Sequence, residues 1–82
     1  MITGPQMKAA RALLAIDQRQ LAAVSGLSLP TIQRMESSRG TVRGTVESLM
    51  KVVDALQQSG IELIGEGSVS SEGGRGVRLK MV

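Results

Sequence analysis

The chain has 82 residues, with ten Lys and Arg against seven Asp and Glu, and it contains no Cys, His or aromatic residue. Without cysteine or histidine it lacks a disulfide framework, the usual metal ligands and the usual general base, so we expect no metal, no cofactor and no catalytic residues. The longest apolar runs are too short to cross a bilayer, and the missing cysteine suits a reducing cytoplasm. We expect one small domain, and the net charge of +3 is only weak evidence for a polyanionic partner.

The first predicted element is a helix from Pro5 to about Ala15. Residues 1–4 are interpreted as a loose leader in which Thr3 can cap the helix. Proline is tolerated in a first helical turn, because the N–H that it lacks would have no partner there. Apolar residues recur at helical spacing along the stretch, and these are Met7, Ala10, Leu13 and Leu14.

Residues 18–36 predict two short helices joined by a tight turn. Asp17 is expected to cap the first helix, with Gln20 completing a capping box, and Ser28 to cap the second. Gly26 lies where the first helix must end, because the residue after a helix often adopts a positive φ that only glycine takes without strain. The apolar residues expected to share one buried seam are Leu21, Ala22, Val24, Leu27, Ile32 and Met35. This pattern is typical of a helix-turn-helix.

Residues 37–45 follow the motif and are expected to form a loop, because they are rich in Ser, Thr and Gly and have no apolar period. Thr45 is then predicted to cap a last helix that ends at Gly60. The apolar face expected for this helix consists of Val46, Leu49, Met50, Val53 and Leu56.

The pattern changes at residue 61. Residues 61–66 and 77–82 are short apolar or alternating stretches typical of strands, and the glycine-rich stretch 67–75 between them is expected to be a mobile loop. Two strands alone are marginally stable in water, so the hairpin must pack on the helices or join another chain. The residues expected on its buried face are Ile61, Leu63, Val77, Leu79 and Met81.

The spacing of the central motif resembles that of the phage-repressor and Cro-like family of DNA-binding domains, also called the XRE family. The pattern is Q-x-x-L-A-x-x-x-G-x-x-x-x-x-I-x-x-x-E, from Gln18 to Glu36, and the resemblance extends from Arg11 to about Leu56. It implies a mainly α fold, with a four-helix helix-turn-helix domain over residues 1–60 and a C-terminal β-hairpin or strand pair over residues 61–82. The alternative is an ordinary α-hairpin inside a helical bundle.

The resemblance also implies a structural role for Arg11 and Glu36. In the resembling family, an arginine at this position pairs with the glutamate that ends the second helix of the motif, called the recognition helix. A bidentate guanidinium–carboxylate pair would hold two helices in a fixed geometry. The alternative interpretation of Arg11 is a solvated surface residue.

The recognition helix is expected to enter the major groove of DNA, where each base pair shows a distinct pattern of chemical groups. Gln33 can pair bidentately with adenine and Arg34 with guanine, and the alternative for both is a solvated polar residue. Leu29, Pro30 and the Thr31 methyl group can contact thymine methyl groups. The residues expected to face the bases are Ser28, Leu29, Pro30, Thr31, Gln33 and Arg34.

Contacts with DNA phosphates are expected on both sides of this helix. In the resembling family, the residue at the Gln18 position donates to a phosphate, and the loop after the recognition helix holds the DNA backbone. The residues predicted for these contacts are Gln18, Arg19, Arg39, Thr41 and Arg43. Single-stranded nucleic acid is a poorer partner, because it is typically held by stacking on aromatic side chains.

The predicted function is sequence-specific binding of double-stranded DNA, at a palindromic operator, by a homodimeric transcriptional regulator or repressor. The dimer is expected to form through residues 61–82, with the last helix as the other candidate. A second interpretation is a protein-interaction module, for example an antitoxin whose main partner is a toxin and whose DNA binding is secondary. That function would favour a long partner-wrapping tail, whereas only a short hairpin is available. An enzyme is disfavoured, because no carboxylates are paired at a useful spacing.

Overall fold

A computed structural model describes residues 2–65 and 73–80 of the chain. Its elements in chain order are α1 (Gly4–Leu14), α2 (Gln18–Ser25), α3 (Leu29–Glu36), α4 (Val46–Gln58), β1 (Ile61–Ile64) and β2 (Gly76–Leu79). The predicted mainly α fold with a C-terminal hairpin is therefore confirmed. Residues 66–72, 81 and 82, which include parts of the predicted loop and strands, lie outside the described residues. Within the described ranges no helix is long and apolar enough to cross a membrane.

The helices begin and end where the local sequence predicts. Each N-cap side chain accepts a hydrogen bond from the backbone amide three residues further on, and the four N-caps are Thr3, Asp17, Ser28 and Thr45. Gly26, with a φ of 73°, ends α2 in the left-handed conformation. The end of α1 is less expected, since Ala15 adopts a φ of 56° there. That conformation costs a residue with a Cβ about 1–2 kcal/mol.

The hydrophobic core lies between the four helices and one face of the hairpin. It is built from aliphatic and methionine side chains, and the flexible methionines can fill irregular gaps. Leu21 of α2 and Ile32 of α3 are both fully buried, so they hold the two helices of the motif against each other. The core residues are Ile2, Met7, Ala10, Leu21, Ala22, Ile32, Met35, Val42, Leu49, Val52, Val53, Leu56 and Ile61.

The apolar faces of three helices differ from the prediction. On α4, Val52 and Ala55 are buried, so the buried stripe is rotated around the helix axis relative to the predicted one. The apolar stripe of α4 is wider than its contact with the rest of the protein, and the pattern alone did not show which edge faces solvent. The predicted core residues that are exposed are Leu13, Val24, Val46 and Met50.

The prediction of a loose leader is wrong for residues 2–4. Ile2 is 2% exposed and belongs to the core, and its carbonyl accepts a hydrogen bond of 3.0 Å from the amide of Val42. At Gly4, a Cβ would lie 2.0 Å from the carbonyl oxygen of Ser38. A side chain at this position would require a backbone shift, because the neighbouring atom belongs to the chain just after α3. Glycine therefore lets α1 begin against the end of the recognition helix.

The two strands form an antiparallel sheet in which Ile61 lies opposite Leu79 and Leu63 opposite Val77. These four side chains share one face, which was predicted to be buried. Ile61 is fully buried, and Leu63 and Val77 are partly buried against the core. The prediction is wrong for Leu79, which is 44% exposed near the end of the hairpin. The hairpin therefore packs on the helices with most of its apolar face.

Gln6 connects the hairpin to α1. Its Nε2 atom donates hydrogen bonds of 3.1 Å to the carbonyl of Ile64 and 2.9 Å to that of Gly76. Its Oε1 atom accepts from the amide of Thr3 at 2.9 Å, which completes a capping box at the start of α1. The side chain is almost completely buried. No pattern in the sequence predicts this role of Gln6.

Candidate DNA-binding surface

The orientation of α3 follows from the side chains that it buries. Ile32, Met35 and Glu36 are buried, and residues three or four positions apart lie on the same side of a helix. Gln33 and Arg34 therefore lie on the opposite side, and both are exposed. The helix thus turns a polar side outward.

The buried end of α3 is held by a pair of charges. Arg11 donates from Nε to Glu36 Oε2 at 2.6 Å and from Nη2 to Oε1 at 2.8 Å, so the contact is bidentate. The hydrogen bond to Glu36 is the main reason that the pKa of Arg11 is raised above its ordinary value. The side chain of Glu36 is only 1% exposed, and that of Arg11 is 21% exposed. The structure thus places the two predicted partners in contact, and the contact fixes α3 against α1.

Gln18, predicted as a phosphate contact, also binds Glu36. Its Nε2 atom donates to Glu36 Oε1 at 3.2 Å, and the residue is half-buried at the first position of α2. The amide nitrogen carries two hydrogens, so this contact leaves a second one to donate elsewhere. Each of the two residues is predicted from the sequence, but their contact with each other is not.

The helix-turn-helix brings predicted base-reading and phosphate-binding residues together. The starts of α2 and α3 meet around one shallow depression, where Leu29 and Gln33 lie beside Gln18 and Arg19. Four of the five lining residues are therefore predicted DNA contacts. The fifth is Asp17, whose carboxylate accepts a hydrogen bond from the amide of Gln20 as the cap of α2.

The loop after α3 forms a second depression, next to the end of the recognition helix. It is lined by Ser38, Arg39, Gly40, Thr41 and Arg43, and three of these are the predicted phosphate contacts of the loop. Val42 is 3% exposed and anchors the loop in the core, while Thr41 pairs with Thr3 in an isolated β-bridge. The exposed Arg39 and Arg43 therefore lie on either side of the anchored Val42.

The polar side chains at the start of α3 bond to each other. Ser28 Oγ accepts a hydrogen bond of 3.3 Å from the amide of Thr31 and lies 2.8 Å from the Thr31 hydroxyl. Leu29 and Thr31 are half-buried and Pro30 is exposed. All six predicted base-reading residues therefore keep some exposure.

The charges on this surface are mostly positive. Of the ten Lys and Arg residues of the chain, four are exposed on α2, α3 and the following loop, namely Arg19, Arg34, Arg39 and Arg43. Glu36 adds little negative charge to the surface, because it is buried against Arg11. A positive surface of this kind attracts the phosphates of DNA.

The structure contains two capped helices, and the second has a fixed outward side that arginines surround. These features define a helix-turn-helix DNA-binding protein. A family model described as "Helix-turn-helix" (HTH_3) matches residues 7–63, which is more than half of the chain. No curated protein matches the sequence. The chain belongs to this XRE-type helix-turn-helix family of DNA-binding transcription regulators, as the spacing of the motif predicted.

Proposed function

We propose that this protein is a sequence-specific regulator that binds double-stranded DNA as a homodimer, with α3 in the major groove. The main observation behind the proposal is that α3 has one buried, fixed side and one exposed side. Its buried side is fixed by the bidentate contact between Arg11 and Glu36, and its exposed side offers Gln33 and Arg34. A groove about 12 Å wide accepts an α-helix, and a fixed helix can present the same side chains to the same base edges at every encounter.

The residues on this surface divide into two roles. Arg34 has a planar guanidinium that can donate two hydrogen bonds to guanine, and the amide of Gln33 can bind adenine through one donor and one acceptor. These contacts carry sequence information. Contacts with phosphates carry no sequence information, but they position the protein on the DNA. We assign these contacts to Gln18, Arg19, Arg39, Thr41 and Arg43.

Homodimerisation is part of the proposal because one recognition helix reads only a few base pairs. A two-fold dimer doubles the bases read and the phosphates contacted. It also requires a palindromic operator with half-sites about 10 bp apart, or a multiple of that distance.

We place the dimer interface at the hairpin. A two-stranded sheet leaves strand edges open for pairing with a second copy. Leu79 is 44% exposed at the end of β2, where it adds apolar surface to such an edge. The competing surface is on α4, where Val46 and Met50 are 73% and 41% exposed.

Two matched variants of the full chain distinguish these surfaces. Leu79→Glu and Met50→Glu each place one carboxylate at an exposed apolar residue, so neither should disturb the core. Sedimentation equilibrium should show a dimer for the parent and for Met50→Glu, and a much weaker dimer for Leu79→Glu. The opposite result would move the interface to α4.

The proposed function itself is tested by selecting duplexes from a random pool with the purified protein and by footprinting its own upstream region. The expected result is a two-fold symmetric sequence, protected over half-sites about 10 bp apart. Equal affinity for every duplex would contradict the proposal. It would favour instead a protein-interaction module with only secondary DNA binding.

A further inference from the structure

An open groove lies where the end of α1, the outer side of α2 and the end of α4 come together. Its volume is about 340 Å³, which is within the range of sites that bind small molecules. It shares no lining residue with the two depressions of the DNA-binding surface. Most of the lining is aliphatic, and Val24, which was predicted to be buried, is 59% exposed there. The residues that line the groove are Leu14, Ile16, Gln20, Ala23, Val24 and Ser59.

One wall of the groove is fixed by hydrogen bonds at the corner between α1 and α2. The amide of Ile16 donates to the carbonyl of Arg11 at 3.1 Å, and Nη1 of Arg11 donates to the carbonyl of Ile16 at 3.3 Å. Arg11 is itself held by its bidentate contact with Glu36. Leu14 and Ile16 therefore lie on a fixed corner, and a ligand gains their contact without the entropy cost of ordering it.

Two polar side chains in the lining define the hydrogen bonds that a ligand can make. Gln20 Oε1 accepts from the amide of Asp17 at 2.9 Å, which orients the side chain. Its Nε2 atom carries two hydrogens, and no contact within residues 2–65 and 73–80 uses them. Ser59 Oγ donates its hydrogen to the carbonyl of Ala55 at 2.8 Å, so it can only accept from a ligand. A complementary ligand therefore carries one acceptor for Gln20 and one donor for Ser59.

The charge of the groove disfavours a charged ligand. None of the six lining residues is charged, whereas arginine side chains line both depressions of the DNA-binding surface. A carboxylate or an ammonium group would lose part of its hydration in the groove without gaining an ion-pair partner. An amide group is neutral and carries both an acceptor and a donor. The lining therefore favours an amide head on an aliphatic chain.

We propose that this groove binds a small neutral aliphatic molecule whose head both accepts and donates hydrogen bonds, as an amide does. The chain of the ligand lies on Leu14, Ile16 and Val24, and its head lies between Gln20 and Ser59. The groove is separate from the surface that we assign to DNA. The inference therefore goes beyond the proposed function and is tested without DNA.

The test titrates the full chain with hexanamide and follows the methyl groups by proton–carbon correlation NMR. The methyl resonances of the lining should shift together and saturate, with a dissociation constant on the order of 1 mM, because the ligand has few atoms. Butanamide, which lacks two methylene groups, should bind about tenfold more weakly. Hexanoate has a charged head without a donor, and it should also bind at least about tenfold more weakly. Equal binding of hexanamide and hexanoate, or no saturable shift of the lining, would overturn the inference.

Two matched valine variants locate the site. Val24→Glu places a carboxylate in the groove at an exposed helix position, and it should weaken hexanamide binding at least about tenfold. Val46→Glu makes the same change on α4, at a residue that is 73% exposed and does not line the groove. It should leave hexanamide binding unchanged. Retained binding in Val24→Glu, or equal losses in the two variants, would place hexanamide elsewhere and contradict the inference.

A further variant tests the class of ligand. Heptan-2-one has the shape of hexanamide but carries a methyl group in place of the amide nitrogen, so it keeps the acceptor and lacks the donor. Ser59→Ala should weaken hexanamide binding about fivefold, the effect of one hydrogen bond, and should leave heptan-2-one binding unchanged. Equal effects on the two ligands would show that Ser59 accepts no hydrogen bond from the ligand, which overturns the assignment of an amide-like head.

Discussion

Arg34 and Glu36 are charged residues in the same turn of α3, yet they face opposite ways. Glu36 is 1% exposed and accepts hydrogen bonds from Arg11 and Gln18, whereas Arg34 is exposed to solvent. A buried charge is costly unless it is paired, so Glu36 is tied to the stability of the fold. A solvated charge contributes little to folding and is free to contact a ligand. One helix thus carries the residues that hold it in place on one side and, on the other, the residues that we propose contact DNA.

The largest effect is expected at the buried side. Glu36→Ala should lower the free energy of unfolding by roughly 3–5 kcal/mol, because it leaves Arg11 without the partner of a largely buried pair. The double variant Arg11→Ala, Glu36→Ala should recover part of this loss. Denaturant melts of the single and double variants measure the coupling.

The control for this cycle is Glu47→Ala on α4. Glu47 forms an exposed ion pair with Lys51 at 3.4 Å, and its side chain is 80% exposed. Removal of this ion pair should lower the free energy of unfolding by only a few tenths of a kcal/mol. Small and additive effects for Arg11 and Glu36 would contradict the division of α3 into a structural and a ligand-facing side.

The next effect is expected where α1 begins against the end of α3. Gly4→Ala should lower the free energy of unfolding by about 3 kcal/mol, because the new Cβ would meet backbone carbonyl oxygens of Glu36 and Ser38. This value is the upper part of the usual range for overpacking. Gly40→Ala is the matched control, since a Cβ there meets no heavy atom within 4 Å. Equal unfolding midpoints for the two variants would show that the end of α3 is free to move.

Two glutamines test how far the hairpin depends on α1. Gln6 and Gln20 occupy equivalent positions in the capping boxes of α1 and α2, but only Gln6 is buried and bound to carbonyls of both strands. Gln6→Ala should destabilise the protein by about 1–3 kcal/mol, because it leaves the buried amide of Thr3 and two partly buried strand carbonyls without this partner. It should also speed hydrogen exchange in the hairpin. Gln20→Ala should leave hairpin exchange unchanged, and equal exchange in both variants would contradict this role.

The smallest predicted change is a gain in stability. Ala15→Gly should stabilise the protein by about 1 kcal/mol, because Ala15 adopts a positive φ that glycine takes without a steric cost. Ala12→Gly, in the interior of α1, should destabilise it by a similar amount. The melting temperatures of the two variants are compared. A loss of stability in both would show that the methyl group of Ala15 stabilises the protein by more than its positive φ destabilises it.

The helix boundaries were predictable because they depend on local chemistry. The caps at Thr3, Asp17, Ser28 and Thr45 bond to amides three residues away, and Gly26 takes a conformation that its own backbone allows. The face of the hairpin was predictable because side chains alternate along a strand. The contact between Arg11 and Glu36 was expected only from the resemblance to the family.

The remaining features depend on contacts between distant parts of the chain. Gln6 binds carbonyls 58 and 70 residues further along, and no local pattern indicates such partners. Ile2 and Gly4 gain their roles from the loop after α3. A glycine at the first position of a helix has no local purpose, so Gly4 was a usable signal of a close backbone contact. The orientation of α4 was missed because its apolar stripe is wider than its interface.

The central claim is that the outer side of α3 reads bases while the flanking arginines hold phosphates. The most direct test measures the affinity of Arg34→Ala and Arg39→Ala for the selected duplex and its single-base variants over a range of salt concentrations. Arg34→Ala should lose about 1–3 kcal/mol and the preference at one base position, and Arg39→Ala should weaken all sequences and lower the salt slope by about one. Intact base preference in Arg34→Ala, together with altered preference in Arg39→Ala, would contradict the account.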